Sequence, residues 1–567
     1  MSIRVFALLA PGLLNLSAQT NAGQADLLIV NATVYTADGS GKFEEAVAIR
    51  GNRILRVGRT REIEALRGPK TEVIDAHGGA VLPGFNDIHT HLLSGGLALA
   101  NVDLQGARAL QEIQTRIREF AKSHPDRAWI QGGGWGYEAF PGNLPTREQL
   151  DAAVADRPAV MRCYDGHSVW VNSKALALAG ITRDTPDPPN GFIVRDPKTG
   201  RPTGLLKETP AVALVQKIVP KPTRDEQLRA LRAASEEALR YGVTSVTDAA
   251  GNPEDLEAYD QARRSGDLGV RVYCSLLVTP GFTEKDADRF DQVWRNHPDT
   301  PMLKTGIIKM FMDGVIETNT AFMLAPYANT PSRGKPNYTV EDFHRIIQMM
   351  DRRGWQIMIH ALGDGAVRMT LDGYERLAAV NPMPARGRRN RVEHIETIDL
   401  ADIPRFGKLG VIASMHPIGG FFPPRLAAEN SSPALLGVWG ANLGPERAAR
   451  GGMWKSISEA GGRVIFGSDW PVASLDAMGR IYTITHRLPL PGGTDQRLSL
   501  TAAIAHYTRE CAYATFDEEQ KGKLAPGMLA DVVVLATDVF SHAPTRSQDI
   551  GVKVTILDGK VVYRASR

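Results

Sequence analysis

Two histidines spaced two residues apart form the first pattern in the chain that could do chemistry. His89 and His91 lie in the segment Asp87-Ile-His-Thr-His91, at the end of a run typical of a buried strand. Side chains alternate along a strand, so both imidazoles can face one point and together suit a zinc-type ion. The pair alone is weak evidence, because two partly buried, hydrogen-bonded histidines give the same pattern.

Further residues of ligand or acid–base type end later strand-like runs. Lys309 lies inside an apolar run, where an ammonium group without a partner is costly to bury. His360, His394 and Asp469 follow at the ends of other runs. Such residues at several strand ends indicate catalysis rather than structure. The three cysteines are widely spaced without a CxxC, so a metal site must use His, Asp, Glu or Lys.

The elements that must position these residues alternate between β and α patterns. Most of the buried-strand candidates are separated by helical periodicity. The eight candidates are residues 84–91, 242–248, 270–277, 306–313, 356–361, 390–394, 411–416 and 463–469. Eight successive β/α units predict an α/β fold with a closed (β/α)₈ TIM-like barrel, whose catalytic groups lie at the carboxyl ends of the strands.

The segments around the barrel predict two further units. Short β-rich runs with Gly, Asn and Asp turns occur near both termini, and those at the N-terminus are typical of an antiparallel meander. They predict one small β-sandwich built from residues 25–82 and 516–567, with the barrel over 83–515. The stretch from about 95 to 240 is too long for a structureless loop. It predicts an inserted subdomain after the first barrel strand.

Composition and the N-terminus restrict location and partners. The 567 residues carry a formal net charge of +3, from 66 basic and 63 acidic side chains, which gives no support for a nucleic-acid partner. Residues 1–22 have the order of a secretory signal and favour export to the periplasm or the medium, whereas a disordered leader on a cytoplasmic protein is the alternative. Their apolar run is too short to span a bilayer, so no stable membrane insertion is expected. A homo-oligomer stays open.

The order HxH, Lys, His, His, Asp resembles that of the amidohydrolase superfamily. The motifs resemble its amidohydrolase 3 branch, which includes YtcJ-like proteins and N-substituted formamide deformylases. They lie at residues 82–91, 359–364, 391–394, 467–472 and 523–535. The resemblance covers nearly the whole chain after about residue 25 and is much less specific to a substrate than to the family.

This resemblance implies a divalent metal cofactor, with two zinc ions expected and Mn, Fe or Co as alternatives. His89 and His91 would bind the first ion, which Asp469 contacts from the opposite side. His360 and His394 would bind the second.

The resemblance also implies that Lys309 is carboxylated on its amine and bridges the two ions. A buried neutral amine can react with CO₂, and the resulting anion can be shared by two cations. The alternative is an unmodified amine that pairs with Asp313 or Asp469 in a site with one metal.

The implied activity is metal-dependent hydrolysis of an amide-like C–N bond, of the N-formyl or N-acyl type, in a small-molecule substrate. A bound ion activates water as hydroxide, and Asp469 would pass its proton to the departing nitrogen. A deaminase, an esterase-type member and a catalytically silent regulatory or binding homologue stay open. The intact ligand set argues against the silent homologue.

Four further residues are candidates for the substrate pocket. His167 and His416 are histidines near the predicted barrel mouth, and His416 ends the seventh strand. Trp135 and Tyr137 are aromatic candidates, for which structural packing is the alternative.

Overall fold

The computed structural model describes residues 23–417, 437–541 and 550–566. The predicted export signal at residues 1–22 lies outside this part of the chain. Among the described residues, no helix combines the length and the apolar character needed to cross a membrane. The strands form four sheets.

The N-terminal segment contributes strands to two sheets rather than to one meander. Its elements are β1 (Ala25–Val30), β2 (Thr33–Tyr35), β3 (Phe43–Glu44), β4 (Ala46–Arg50), β5 (Arg53–Gly58), α1 (Thr60–Glu64), β6 (Arg67–Asp75) and β7 (Ala80–Pro83). The first sheet has the order β5-β4-β1-β6, and β1 pairs antiparallel with β4 but parallel with β6. Strands β1, β4 and β5, which lie in the runs predicted as a meander, pair antiparallel, whereas β6 lies beyond those runs and adds to β1 in parallel.

The first barrel strand precedes a subdomain with its own sheet. The elements in this region are β8 (Phe85–Thr90), α2 (Leu92–Ala98), β9 (Val102–Asp103), α3 (Leu110–Ser123), β10 (Ile130–Trp135), α4 (Arg147–Asp151), β11 (Ala159–Cys163), β12 (Ser168–Val171), α5 (Ser173–Ala179), β13 (Phe192–Arg195), β14 (Pro202–Lys207) and α6 (Glu208–Gln216). Six of these strands form a sheet in the order β13-β14-β12-β11-β10-β9. Two separate apolar clusters support this sheet, so the insertion buries cores of its own.

The remaining barrel elements follow in regular alternation. They are α7 (Arg224–Arg240), β15 (Val243–Gly251), α8 (Pro253–Ser265), β16 (Arg271–Leu277), α9 (Glu284–Asn296), β17 (Leu303–Phe311), α10 (Val340–Arg352), β18 (Gln356–Ala361), α11 (Asp364–Val380), β19 (Arg391–His394), α12 (Ile403–Leu409), β20 (Ile412–Met415), α13 (Gly437–Leu443), α14 (Pro445–Ala448), α15 (Trp454–Glu459), β21 (Arg463–Phe466), α16 (Ala477–His486), α17 (Leu500–Tyr507) and α18 (Arg509–Ala514). Helix α7 packs on α2 and β15, so the barrel resumes before residue 240.

The eight-stranded sheet confirms the predicted barrel. Its order is β21-β20-β19-β18-β17-β16-β15-β8, and every neighbouring pair is parallel. The first and last strands come together just beyond their ends, where Thr90 and Trp470 form a parallel bridge. The carboxyl ends of all eight strands therefore lie at one rim.

Strands from both ends of the chain share the fourth sheet. The C-terminal elements are β22 (Val532–Leu535), β23 (Val552–Leu557) and β24 (Lys560–Arg564). They join N-terminal strands in the order β24-β23-β22-β7-β2-β3. One apolar cluster contains residues of both terminal sheets, among them Ile29, Ile49, Val532 and Ile556. The predicted fold class, with a small sandwich built from both termini, is confirmed.

A buried ion pair ties this sandwich to the barrel. Arg271, at the start of β16, contacts both carboxylate oxygens of Asp531, at 2.7 and 2.8 Å, and both side chains are about 95% buried. We predict that Asp531→Ala lowers the free energy of unfolding by about 3 kcal/mol, because it leaves a buried guanidinium without its main partner. Urea unfolding followed by tryptophan fluorescence measures this change.

The matched control breaks a solvent-exposed ion pair. Arg564 contacts Glu72 at 2.7 Å with more than half of each side chain exposed, so Glu72→Ala should cost less than about 1 kcal/mol. Equal losses in the two variants would contradict a special role for Arg271 and Asp531.

Candidate metal centre

Asp469 lies at the centre of the candidate site. Its Oδ1 atom is 3.1 Å from Nε2 of His91 and 3.6 Å from Nε2 of His89. Its Oδ2 atom is 4.0 Å from Nδ1 of His394. Histidines from the first and sixth barrel strands thus surround a carboxylate at the end of the eighth strand.

Lys309 and His360 complete the group at the same rim. The Nζ atom of Lys309 is 3.4 Å from Nε2 of His89. The ring centroid of His360 is 4.4 Å from that of His394, and its Nε2 atom is 3.2 Å from the carbonyl oxygen of Gly314. The structure therefore brings together all six residues that the sequence suggests as ligands.

Asp313 holds the backbone behind this group. Its carboxylate accepts hydrogen bonds from the backbone N–H groups of Phe322, Leu362 and Gly363, at 2.9 to 3.1 Å. It lies 3.8 Å from Nε2 of His360. These bonds fix the loop that follows β18. The carboxylate of Asp313 is thus engaged by the backbone, and Asp313 supports the site rather than acting as a ligand.

Two residues of the site, each at the end of a barrel strand, have a left-handed backbone conformation. His394 has φ at +74° and Asp469 has φ at +58°, a region that non-glycine residues seldom adopt. Each such residue costs on the order of 1–3 kcal/mol and persists only where its surroundings fix it. For Asp469 one fixing contact is its N–H group, which donates to the carbonyl oxygen of His89 at 2.8 Å.

Several buried atoms at this rim have no hydrogen-bond partner among the described residues. They are Nε2 of His394, Oδ1 of Asp469 and both ring nitrogens of His416. Leaving such an atom unpaired costs about 1–3 kcal/mol, so a cluster of them indicates a missing positive ligand. Imidazole nitrogens with a carboxylate are the donors that zinc and related divalent ions prefer. The residues therefore fit a divalent metal ion.

Two groups of three residues have their ligand atoms close enough to hold an ion. In each group all these atoms lie within 4.8 Å of one another. One group is His89, His91 and Asp469, and the other is His89, His394 and His416. The first is the predicted set, whereas His416 was predicted only to line the pocket.

Glu393 is a functional residue that the sequence analysis missed. Its Oε2 atom lies 2.6 Å from Nδ1 of His89, and its other oxygen lies 3.1 Å from Nε of Arg391. All three side chains are fully buried. A carboxylate on Nδ1 orients the ring and leaves Nε2 free for a metal. An acid inside the buried strand β19 was the available signal.

Burial and neighbouring charges tune the titration of the site. Burial lowers the pKa of Lys309 to about 8, against the effect of the Glu393 and Asp469 carboxylates. Burial alone would raise the pKa of Asp469, but the adjacent His91 side chain holds that pKa below its usual range. Burial is also the main cause of the low pKa values of His89, His360 and His394, which lie well below the usual range for histidine. These three imidazoles are therefore neutral. Neutral imidazoles are the form that binds metals.

His167 brings a residue of the inserted subdomain to the site. Its ring centroid is 5.4 Å from that of His360, and its Nδ1 atom is 2.9 Å from Oε2 of Glu208. Glu208 also accepts hydrogen bonds from the hydroxyls of Thr318 and Thr320, at 3.0 and 2.6 Å. Burial alone would lower the pKa of His167, but Glu208 raises it to about 9.

The pocket beside these groups contains two of the four predicted lining residues. His167 and His416 line it, together with Tyr164, Glu317, Glu396 and Trp454. Trp135 is fully buried in the inserted subdomain and donates its indole N–H to the carbonyl of Met161, so it packs rather than lines the pocket. Tyr137 lies behind the lining, where its hydroxyl donates to Asp165 at 2.8 Å.

We predict that Glu393→Gln weakens metal binding by about 10–100-fold, the effect typical of losing a partner that orients a ligand histidine. Competition with a chelator measures the dissociation constant. Glu459→Gln is the control, because that carboxylate is 68% exposed on α15. Unchanged affinity in Glu393→Gln would show that Glu393 does not act through His89.

Comparison with known proteins gives the same family over most of the chain. The model of the Amidohydro_3 family, described as "Amidohydrolase family", matches residues 72–563. "Protein LONG AFTER FAR-RED 3" of Arabidopsis thaliana is 33% identical, over 95% of this chain and 92% of its own. "Putative amidohydrolase YtcJ" of Bacillus subtilis (strain 168) is 30% identical, over 94% of this chain and 98% of its own.

A further relative and a solved structure extend this comparison. "N-substituted formamide deformylase" of Arthrobacter pascens is 27% identical, over 95% of this chain and 98% of its own. The crystal structure of an uncharacterized metal-dependent hydrolase from Pyrococcus furiosus has a TM-score of 0.69 and 26% identity, over 90% of this chain and 99% of that one. The chain belongs to the amidohydrolase family.

Proposed function

We propose that the protein is a metal-dependent hydrolase that cleaves an amide-like C–N bond, of the N-formyl or N-acyl type, in a small molecule. The observation that carries this proposal is the set of imidazoles around Asp469, with buried ligand atoms that no described group satisfies. A divalent ion held there supplies Lewis acidity and lowers the pKa of water toward neutrality.

The ligands divide between two ions in this proposal. His89, His91 and Asp469 would hold one ion, and His360 and His394 would hold the second. Zinc suits this donor set, and Mn, Fe and Co are alternatives. The similarity of the fold to the metal-dependent hydrolase from Pyrococcus furiosus supports the choice of a metal site.

The proton path in this proposal uses Asp469. Its low pKa keeps the carboxylate ionised, so it can accept the proton that water loses as its oxygen attacks the carbonyl carbon. The C–N bond then breaks, and the same proton passes to the departing nitrogen. The products are a carboxylic acid and an amine.

His167 supplies a second charge to the pocket. Because Glu208 holds it protonated, its ring can donate a hydrogen bond to substrate oxygen beside His360. The barrel thus provides the ligands and the base, while the insertion provides a cationic donor.

We predict that chelation abolishes hydrolysis of N-formyl or N-acyl amines and that zinc, manganese or cobalt restores it. Asp469→Asn should lower kcat by about 10²–10⁴-fold while metal stays bound, because the proton acceptor is lost. A panel of N-formyl amines, N-acyl amines, esters and aminopyrimidines, assayed with metal analysis, separates amidase, esterase and deaminase activity.

The control is Asp495→Asn, since that carboxylate is 40% exposed and pairs with Arg497. Stoichiometric metal without turnover of any panel member would favour a silent regulatory homologue. Turnover that persists after chelation would contradict the metal-dependent mechanism.

We also propose that Lys309 is carboxylated and bridges the two ions. An ammonium group 3.4 Å from a ligand nitrogen would repel a cation, whereas a carbamate would bind it. With its pKa lowered to about 8, a fraction of the amine is neutral near physiological pH and can react with CO₂.

We predict that isotopically labelled bicarbonate gives a carbamate signal in the NMR spectrum of the metal-loaded protein and that Lys309→Met removes it. Lys521 is the matched control, because it is also buried with a pKa near 8 but donates to the hydroxyl of Ser245. The signal should survive Lys521→Met. A wild-type spectrum without the carbamate signal would show that Lys309 is an unmodified amine and would contradict this proposal.

A further inference from the structure

We propose that His416 is a metal ligand, which forms with His89 and His394 a site of three imidazoles on the first, sixth and seventh barrel strands. The ligand set implied by the family resemblance contains no residue from the seventh strand. This inference rests on the proposed metal dependence and concerns the protein with an unmodified Lys309, in which His89 and His394 would share one ion with His416 instead of being divided between two ions.

The geometry of the three rings supports a shared ion. One nitrogen from each ring lies within 4.8 Å of the other two. The ring centroid of His416 is 4.6 Å from those of His89 and His394, which are 4.9 Å apart. The Nδ1 atom of His89 contacts Glu393, so its Nε2 atom is the one available to an ion.

Within the described part of the chain, His416 lacks the hydrogen bonds that a buried structural histidine would have, which indicates that its ring nitrogens face an ion rather than a protein group. The residue is 93% buried and lines the pocket, yet neither ring nitrogen has a hydrogen-bond partner among the described residues. Two histidines elsewhere in the fold contact backbone carbonyls instead, His506 that of Val464 at 2.7 Å and His297 that of Val293 at 2.9 Å. A structural role would require a similar partner.

The strand register explains how His416 reaches this point. Strands β19 and β20 are parallel, and His394 lies opposite Met415, the residue that precedes His416. His394 has a left-handed backbone at the end of its strand, and its ring centroid lies 4.6 Å from that of His416. Two adjacent strands thus end in histidines whose rings meet.

The donor set predicts which ions this site prefers. Three neutral imidazoles favour zinc, cobalt, nickel or copper over manganese, magnesium or calcium, which prefer oxygen ligands. None of the three depends on carboxylation of Lys309. We therefore expect one zinc or cobalt ion to bind even when CO₂ is removed from the buffer.

Equilibrium dialysis of the full chain against zinc in CO₂-free buffer tests the proposal. His416→Gln should weaken zinc binding by at least about 10–100-fold, the loss seen when only an outer partner of a ligand is removed. His344→Gln is the matched control, because His344 lies on helix α10 and in neither group of possible ligands, so this variant should bind zinc as the wild type does. Circular dichroism establishes that each variant is folded.

A second variant keeps a ligand at this position and reports contact directly. In His416→Cys loaded with cobalt, the thiolate should give a sulfur-to-cobalt charge-transfer band, and His344→Cys should not. Zinc affinity unchanged in His416→Gln, or no such band in folded His416→Cys, overturns the inference. A wild-type chain that binds no metal overturns the proposed function instead.

Discussion

Closure of the barrel between β8 and β21 is the interaction on which the site depends. The Asp87 carboxylate accepts the N–H of Ser468 at 2.8 Å, and the N–H of Asp469 donates to the carbonyl of His89 at 2.8 Å. These bonds join segments separated by nearly the whole barrel sequence. Without them, Asp469 would not face His89 and His91.

The buried ion pair of Arg391 and Glu393 positions the ring of His89 rather than adding to the stability of the fold. Ion pairs in a protein interior seldom repay the cost of removing both charges from water. Here the carboxylate also contacts Nδ1 of His89, so it fixes the ring whose other nitrogen faces the ion site. A buried charge network at this place is therefore best explained by the orientation of a ligand.

The sequence predicted the barrel well because its strands are buried runs with polar residues at their carboxyl ends. All eight strands and the convergence of the six ligand candidates followed from that pattern. The pairing of β1 with β6 did not, because parallel neighbours are set by contacts distant in the chain. Trp135 was equally compatible with packing and with a pocket wall. Glu208 lies 41 residues from His167, so only the folded insertion reveals their contact.

Contacts between the insertion and the barrel hold one wall of the pocket against the rim that carries the ligand residues. The part of the fold that would select a substrate is therefore distinct from the part that would cleave it. The hydroxyl of Tyr164 in the insertion donates to Glu317 in the loop after β17, at 3.0 Å, and Glu208 accepts from Thr320 in the same loop. The part of the pocket wall that the insertion contributes is thereby fixed relative to the ligands, none of which comes from the insertion. On the proposed function, relatives that keep the ligand residues can therefore differ in this wall and act on different molecules, because the rim would supply the same chemistry to whatever the wall admits.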